Sequence, residues 1–106
     1  MTTPIPVKKA LKKLGKDIRE ARIRRRIPVA LMAERVGISR VTLKSVEDGR
    51  PTVSMGIYAT ALYVLGMLDR LKDIADIAFD FVGQALSSEK LPKRIIIKRN
   101  KICPKL

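Results

Sequence analysis

Apolar side chains recur at helical spacing along the first part of the chain. They occupy every third or fourth position of the first segment, at Leu11, Leu14, Ile18 and Ala21. With lysine and arginine on the remaining positions, this pattern predicts an amphipathic helix over about 7–25. Pro28 cannot lie inside a helix but can begin one, so a second helix is predicted over about 29–35.

Glycine and serine mark the ends of the next helices. Gly37 ends the second helix, because a glycine just past a helix end takes the left-handed conformation without steric cost. Ser39 is a candidate N-cap for a third helix that runs to about Glu47. Ser54 is the next candidate N-cap and predicts a fourth helix through about Leu65. That helix is apolar on most faces, so we expect it to be buried on most sides.

The pattern changes towards the C-terminus. Helical spacing continues over about 67–75, and residues 76–89 predict one further short helix. Basic residues then alternate around a triple isoleucine, which predicts a short β-strand over 94–98. The chain is therefore divided into a helical domain, 1–89, and a basic strand or tail, 90–106.

Two helices of about eight residues, joined by a turn that contains glycine, are typical of a helix-turn-helix, here over about 29–47. The positions that hold the two helices together are Ala33, Gly37, Ile38, Leu43 and Val46. The small side chain of Ala33 allows the helices to approach, and Ile38 fills the angle between them. The opposite edge of the second helix faces outward and carries Arg40, Val41, Lys44 and Ser45. This edge begins at the helix N-terminus, the end that reaches base edges in a major groove.

The stretch from 33 to 49 has the pattern A-E-x-x-G-I-S-R-x-T-L-x-x-V-E-x-G. It resembles the lambda-repressor/Cro-type helix-turn-helix family, also called the XRE family, over about residues 14–68. The resemblance implies an all-α, five-helix DNA-binding domain. It also implies that the base-reading residues are Ser39, Arg40, Val41, Lys44 and Ser45. One departure is Val29, which stands where many members carry a phosphate-binding glutamine, so backbone anchoring falls to amide groups or neighbouring arginines.

Several of these side chains have alternative roles. Arg40 could bind a guanine edge through two hydrogen bonds or neutralise a phosphate, and Lys44 has the same two options. Val41 could meet a thymine methyl group or be a plain exposed residue, and the Thr42 hydroxyl could bond locally. The arginine-rich run from Arg22 to Arg26 could be a solvated helix face, but its position beside the second helix favours phosphate contact. The predicted phosphate-binding residues are Arg24, Arg25, Arg26, Thr42 and Arg50.

A second pattern, S-M-G-x-Y-x-x-x-L-x-V-L-G over 54–66, is followed by L-P-K-R at 91–94. Together with the helix-turn-helix, these segments resemble the HipB-type antitoxins, the DNA-binding partners of HipA-type serine/threonine kinase toxins. The resemblance implies a homodimer joined partly through a C-terminal strand, autorepression of the operon, and a complex with the toxin kinase. The predicted dimer-interface residues are Arg94, Ile95, Ile96 and Ile97. A lone strand packed on its own domain is the alternative, and the apolar helices of 55–75 are a second candidate dimer surface.

Charge supports a polyanionic partner. The 106 residues carry a formal net charge of +13, and most of it lies at the two ends of the chain. Residues 1–26 hold ten basic and two acidic side chains, and residues 90–106 hold seven basic side chains and no acidic one. Such a field attracts double-stranded DNA or an anionic membrane. A stand-alone XRE repressor without a toxin, or a basic protein that coats nucleic acid or a membrane surface, would also carry this charge.

The remaining composition argues against other classes. A single cysteine and the absence of histidine exclude an internal disulfide framework and a Cys/His zinc site, and favour a cytoplasmic setting, with nucleoid association when DNA is bound. Neither a glycine-rich phosphate loop nor the usual nucleophile, base and metal sets are present, so we expect neither an enzyme nor a cofactor. The uncharged run over 51–68 contains polar residues, so we expect a buried helix there and not a membrane span.

Overall fold

The computed structural model describes residues 2–86, 91 and 93–95. The prediction of an all-α fold is confirmed for this part of the chain, which contains helices and no strand. The α-helices are α1 (Ile5–Arg24), α2 (Val29–Val36), α3 (Arg40–Glu47), α4 (Met55–Val64), α5 (Asp69–Lys72) and α6 (Phe81–Leu86), with a 3-10 turn at Ile77–Phe79. The chain forms two compact units, Met1–Ile74 and Ala75–Leu106. The predicted division at 89/90 stays a prediction.

Two helix boundaries differ from the sequence prediction. Helix α1 begins two residues before the predicted position, because Pro4 serves as its N-cap and a proline in the first turn lacks only an N–H that has no helical partner. Helix α5 is shorter than the predicted 67–75. After α5 the chain continues with bonds to the third preceding residue, as in a 3-10 turn, since the amide of Asp73 donates to the Arg70 carbonyl at 3.3 Å. Little apolar surface is buried here to stabilise a longer helix.

The core of the first unit is built from one apolar edge of each of the first four helices. Its buried members are Ile18, Ala21, Met32, Ala33, Leu43, Val46, Tyr58, Ala61 and Leu65. Helix α3 packs against both α1 and α2, and α2 also packs against α4. Helix α3 is therefore held from two sides, which fixes its direction relative to the rest of the unit.

Two glycines allow α1 to approach the end of α3 closely. A Cβ added to Gly15 would lie 2.5 Å from the amide nitrogen of Gly49 and 2.5 Å from the carbonyl oxygen of Val46. Gly49 has a positive φ of 71°, and a Cβ there would overlap the backbone of Leu11 and Lys12. The contact is thus backbone against backbone, and neither position accepts a side chain without displacing a helix.

Helix α4 is buried on one side only, so the expectation of burial on most sides is wrong within the first unit. Tyr58 and Ala61 face the core, whereas Met55 is 65% and Tyr63 68% exposed. The physical reason is size: a unit of this length has one small core, and α4 lies at its edge. Among the described residues, none belongs to a helix that is long and apolar enough to cross a bilayer.

The second unit begins with the 3-10 turn and α6. Asp80 caps α6, because its Oδ1 accepts a hydrogen bond from the amide of Gly83 at 2.8 Å. The apolar side chains described in this unit are exposed, namely Ile77, Phe79, Phe81, Val82, Leu86, Leu91 and Ile95. Of the predicted strand over 94–98, only Arg94 and Ile95 are described and neither is in a strand. Ile96 and Ile97 lie outside the described residues, so the strand stays a prediction.

Candidate nucleic-acid interface

The connection between α2 and α3 is a tight turn built on Gly37. Its φ of 84° is left-handed, and the amides of Gly37 and Ile38 both donate to the carbonyl of Ala33 at 2.9 Å. This arrangement satisfies two backbone amides at the helix end and ends α2 at Gly37. Only Ile38 and Ser39 then precede α3, so the angle between the two helices is tightly constrained.

Ser39 organises the N-terminus of α3. Its Oγ accepts a hydrogen bond from the amide of Thr42 at 3.1 Å, as an N-cap does. The hydroxyls of Ser39 and Thr42 also lie 3.0 Å apart. Thr42 therefore uses its hydroxyl locally, which is the structural alternative that the sequence left open for it. Ser39 remains exposed at the N-terminal end of α3.

Helix α3 has a buried edge and an exposed edge. Leu43 and Val46 are buried against α1 and α2. Arg40, Val41 and Lys44 are exposed, and Val41 keeps 77% of its surface accessible even though it is apolar. Ser45 is half-buried, and its Oγ donates to the Val41 carbonyl at 3.3 Å. Four of the five predicted base-reading residues, Ser39, Arg40, Val41 and Lys44, are thus accessible to a partner along one edge.

A buried ion pair anchors the C-terminal end of α3. Arg22 Nε donates to Glu47 Oε2 at 2.7 Å and Nη2 donates to Oε1 at 3.3 Å. Arg22 Nη1 also donates to the carbonyl of Ile27 at 2.8 Å, so one guanidinium joins α1, the connection after it, and α3. Each of the two charged side chains is only 9% exposed. The pair is fully hydrogen-bonded, which is the condition under which a buried charge is tolerated.

This ion pair corrects the sequence interpretation of Arg22. The sequence grouped Arg22 with the arginine-rich run that was expected to contact phosphate, and that grouping is wrong because the side chain is buried and paired. The signal that identifies it is its position: Arg22 follows Ile18 by four residues and so lies on the buried edge of α1. Glu47, which lies on another helix, balances the charge of Arg22.

The other arginines of the run lie where α1 ends. Arg24 is the last residue of α1 and Arg25 and Arg26 follow it, and all three are exposed. Arg25 Nη1 donates to the Ala21 carbonyl at 3.0 Å. Arg26 has a φ of 56°, so the chain turns at this residue towards α2. These side chains remain available to an anion, but they are not among the residues that line the two concave surfaces described next.

The outer edge of α3 borders a concave surface of about 490 Å³ shared with α1 and the start of α2. Its cationic lining comes from Arg40 and Lys44 of α3 and from Arg19 of α1, besides the paired Arg22. Asp48 also lines it, and its Oδ2 lies 3.6 Å from Lys44 Nζ. The sequence prediction did not include Arg19.

A second concave surface, of about 480 Å³, lies beside the first and shares Asp48 with it. Lys8 and Lys12 of α1 line it together with Arg50 of the α3–α4 connection. The backbone of Arg50 is fixed at both ends, because its amide donates to the Ser45 carbonyl at 3.0 Å and its carbonyl accepts from the Tyr58 hydroxyl at 2.8 Å. Arg50, a predicted phosphate-binding residue, thus has a fixed backbone and lines the same surface as two lysines that the sequence had not assigned to the site.

The pKa values of Tyr58 and Lys13 are both raised. Burial raises the pKa of the Tyr58 hydroxyl above its usual value near 10. The hydrogen bond from Lys13 to Asp17, and then the attraction between their charges, raises the pKa of the Lys13 ammonium. Within the described ranges, no three His, Cys, Asp or Glu side chains cluster closely enough to hold a metal ion.

A separate groove of about 600 Å³ between α1, α4 and α5 is mainly apolar, with Asp17 and Arg70 as its charged lining residues. Its lining includes Leu14, Tyr58, Leu62, Leu71 and the exposed residues Met55 and Ile74. It forms part of the surface of the 55–75 helices, which the sequence named as a candidate dimer surface.

No protein-family model matches this chain, and neither the curated proteins nor the solved structures contain a significant match. The likeness to the XRE family and to HipB-type antitoxins therefore rests on the residues of the chain itself.

Proposed function

We propose that this protein is a sequence-specific DNA-binding repressor that acts as a homodimer on palindromic operator DNA. The observation that carries the proposal is the arrangement of α3. Its inner edge, with Leu43 and Val46, is buried, while Arg40, Val41 and Lys44 face solvent on a helix fixed from two sides. A rigid helix with an accessible N-terminal edge fits the B-DNA major groove, which admits an α-helix.

Each exposed residue of α3 has a matching chemistry on DNA. Arg40 donates to O6 and N7 of a guanine, Val41 packs on a thymine methyl group, and Lys44 contacts a base edge or a phosphate. Ser39 and Ser45 complete the predicted base-reading set. Arg24, Arg25, Arg26 and Arg50 contact phosphates, and Thr42 contacts one with the hydrogen-bonding capacity that its hydroxyl keeps besides the local bond to Ser39. These contacts position the protein without selecting the sequence.

A homodimer is part of the proposal because one helix-turn-helix contacts few bases, and dimers bind two half-sites about one helical turn apart. The apolar groove and the exposed Tyr63 in the first unit support burial by another subunit. The exposed apolar side chains of the second unit give independent support. Arg94, Ile95, Ile96 and Ile97 stay the candidates for a strand-mediated contact.

The cellular role that fits best is that of an antitoxin that represses its own operon and neutralises a HipA-like serine/threonine kinase toxin. Support for the kinase partner comes from the resemblance over residues 54–98 alone. A stand-alone XRE repressor is therefore the second candidate, and it is favoured by the same α3 geometry. Both roles place the protein in the cytoplasm, on the nucleoid when DNA is bound.

The DNA-binding part is tested by selecting bound sequences from a random duplex library. The wild-type protein is then compared with a double variant that carries both Arg40→Ala and Lys44→Ala. The expected result is that the double variant loses most of its preference for the selected sequence over random DNA. A matched control is Lys9→Ala with Lys13→Ala, which removes the same charge from α1. The control should keep that preference. Full operator preference in the α3 variant would refute the assignment of the recognition helix, as would a wild-type protein that selects no sequence and merely coats DNA.

The partner is tested separately by tagging the protein in its native host and identifying stoichiometric co-purifying proteins by mass spectrometry. Recovery of a HipA-like kinase, followed by inhibition of that kinase by the purified protein, supports the antitoxin role. Recovery of the protein's own dimer and DNA without a kinase supports the stand-alone repressor.

A further inference from the structure

The side of α1 that borders α3 carries a stripe of cations. Lys8, Lys12 and Arg19 are four and then seven residues apart, so they lie close to one side of the helix and span about 16 Å along it. All three are exposed. Lys8 and Lys12 line the concavity beside Arg50, and Arg19 lines the concavity beside Arg40 and Lys44.

The surroundings of this stripe leave a strong excess of positive charge. The two adjoining concavities together contain Lys8, Lys12, Arg19, Arg40, Lys44 and Arg50 as available cations. The carboxylates that line them are Glu47, which is paired with the buried Arg22, and Asp48. Six cations thus face one carboxylate that is not already neutralised by a buried partner.

Because the two concavities adjoin, we infer that the cationic stripe of α1, defined by Lys8, Lys12 and Arg19, is a second phosphate-contacting surface. It follows the sugar-phosphate backbone of the same duplex that α3 contacts. The inference rests on the proposed function, because α3 must lie in the major groove. Each edge of that groove is a sugar-phosphate backbone, so cations beside the recognition helix meet phosphates and not base edges. The three cations of the stripe can therefore contact up to three phosphates of one strand.

The rigidity of this surface distinguishes it from a solvated helix face. Gly15 lies between Lys12 and Arg19 and brings the backbone of α1 against Gly49 and Val46. The Arg22–Glu47 pair fixes the same helix to the end of α3 about two turns further along α1. The stripe and the recognition helix therefore move together, and docking α3 places the stripe on the backbone with little additional loss of freedom.

The test compares two double variants. The stripe variant carries Lys8→Gln and Lys12→Gln, and the control variant carries Lys9→Gln and Lys13→Gln. Each control position is one residue later in α1, so the net charge is the same and the side chains are turned by about 100°. Fluorescence anisotropy with a random-sequence 24-base-pair duplex gives the affinity between 50 and 200 mM salt, and circular dichroism confirms that each variant is folded.

The stripe variant is expected to lower the slope of log affinity against log salt by about 1.8, since each phosphate contact contributes about 0.9. Between 50 and 200 mM salt, the factor by which wild-type affinity falls should then be about 12 times the factor by which the variant's affinity falls. Adding Arg19→Gln should lower the slope by about a further 0.9. The control should keep nearly the wild-type slope.

A stripe variant with the same slope as its control would overturn the inference while leaving the α3 assignment standing. The inference also fails if the stripe variant keeps its DNA slope but loses binding to phosphatidylglycerol vesicles, because the stripe would then contact membranes. A wild-type protein without measurable duplex binding would refute the proposed function itself, so the two failures are distinguishable.

Discussion

Replacing Glu47 by glutamine tests how α3, the proposed recognition helix, is held in place. The substitution keeps the size and one acceptor oxygen of the side chain but removes its negative charge. Arg22 then remains buried beside α3 without a counterion, while its bond to the Ile27 carbonyl at 2.8 Å survives. The loss should appear as a lower free energy of unfolding, because a buried charge has lost the partner that compensates its desolvation.

The magnitude follows from burial. Both side chains are 9% exposed, so screening by water is small, and removing one partner of such a pair costs about 3–5 kcal/mol. Glutamine retains one acceptor, which places Glu47→Gln near the lower value. For a domain of this size, each kcal/mol shifts the melting temperature by about 4–8 °C. A loss of about 3 kcal/mol therefore corresponds to a decrease of about 12–24 °C.

Thermal unfolding followed by circular dichroism at 222 nm measures this decrease. The control is Asp17→Asn, which breaks the exposed Lys13–Asp17 pair on the same helix and should leave the melting temperature nearly unchanged. The double variant Arg22→Met with Glu47→Leu replaces both charges by apolar groups and should recover most of the stability. A decrease below about 4 °C for Glu47→Gln, or a double variant as unstable as the summed single variants, would refute the reasoning.

Three further changes have defined outcomes. Gly15→Ala should destabilise the fold although alanine favours helices by about 1 kcal/mol, because its methyl group meets backbone atoms at 2.5 Å; a rise in melting temperature would contradict the contact. Tyr58→Phe removes the hydrogen bond to the Arg50 carbonyl and should cost about 0.5–1.5 kcal/mol at neutral pH in chemical denaturation. Because burial raises the pKa of folded Tyr58 above its unfolded value near 10, wild-type stability should decline relative to the variant as the pH rises through that folded pKa, and parallel profiles would argue against this. Asp48→Asn removes the carboxylate that lies 3.6 Å from Lys44 and should tighten binding to random duplex DNA about 2- to 5-fold in anisotropy titrations; weaker binding would show that Asp48 organises Lys44 for contact.

The sequence predicted α2, α3 and α4 well because their boundaries have local causes. Gly37 and Ser39 act through their own backbone geometry and hydroxyl chemistry, so neighbouring residues suffice to place α2 and α3. The extent of α5 depended on how much apolar surface could be buried, which is a property of the whole unit. For that reason the periodicity over 67–75 overestimated its length.

The charged residues were harder to assign from sequence because their roles depend on distant partners. Arg22 and Glu47 are 25 positions apart, and only their positions on the buried edges of two helices indicate that they meet. Lys8, Lys12 and Arg19 differ from this pair, because the periodicity of α1 places all three together on a side of the helix that is predicted to be exposed. What the sequence could not supply was the neighbour of that side, which the α1–α3 contact determines.

That contact joins the two tasks of the proposed interface. Phosphate contacts set the register of a protein on DNA, and base contacts use that register to select a sequence. Here the proposed phosphate stripe lies on α1 and the base-reading edge on α3, and the two helices are fixed together by the Gly15–Gly49 approach and by the Arg22–Glu47 pair. A substitution that shifts α1 against α3 without unfolding the protein should therefore change sequence preference even though it touches no DNA. Under this arrangement, residues that pack the interface between α1 and α3 contribute to specificity as positioning residues, in addition to stabilising the fold.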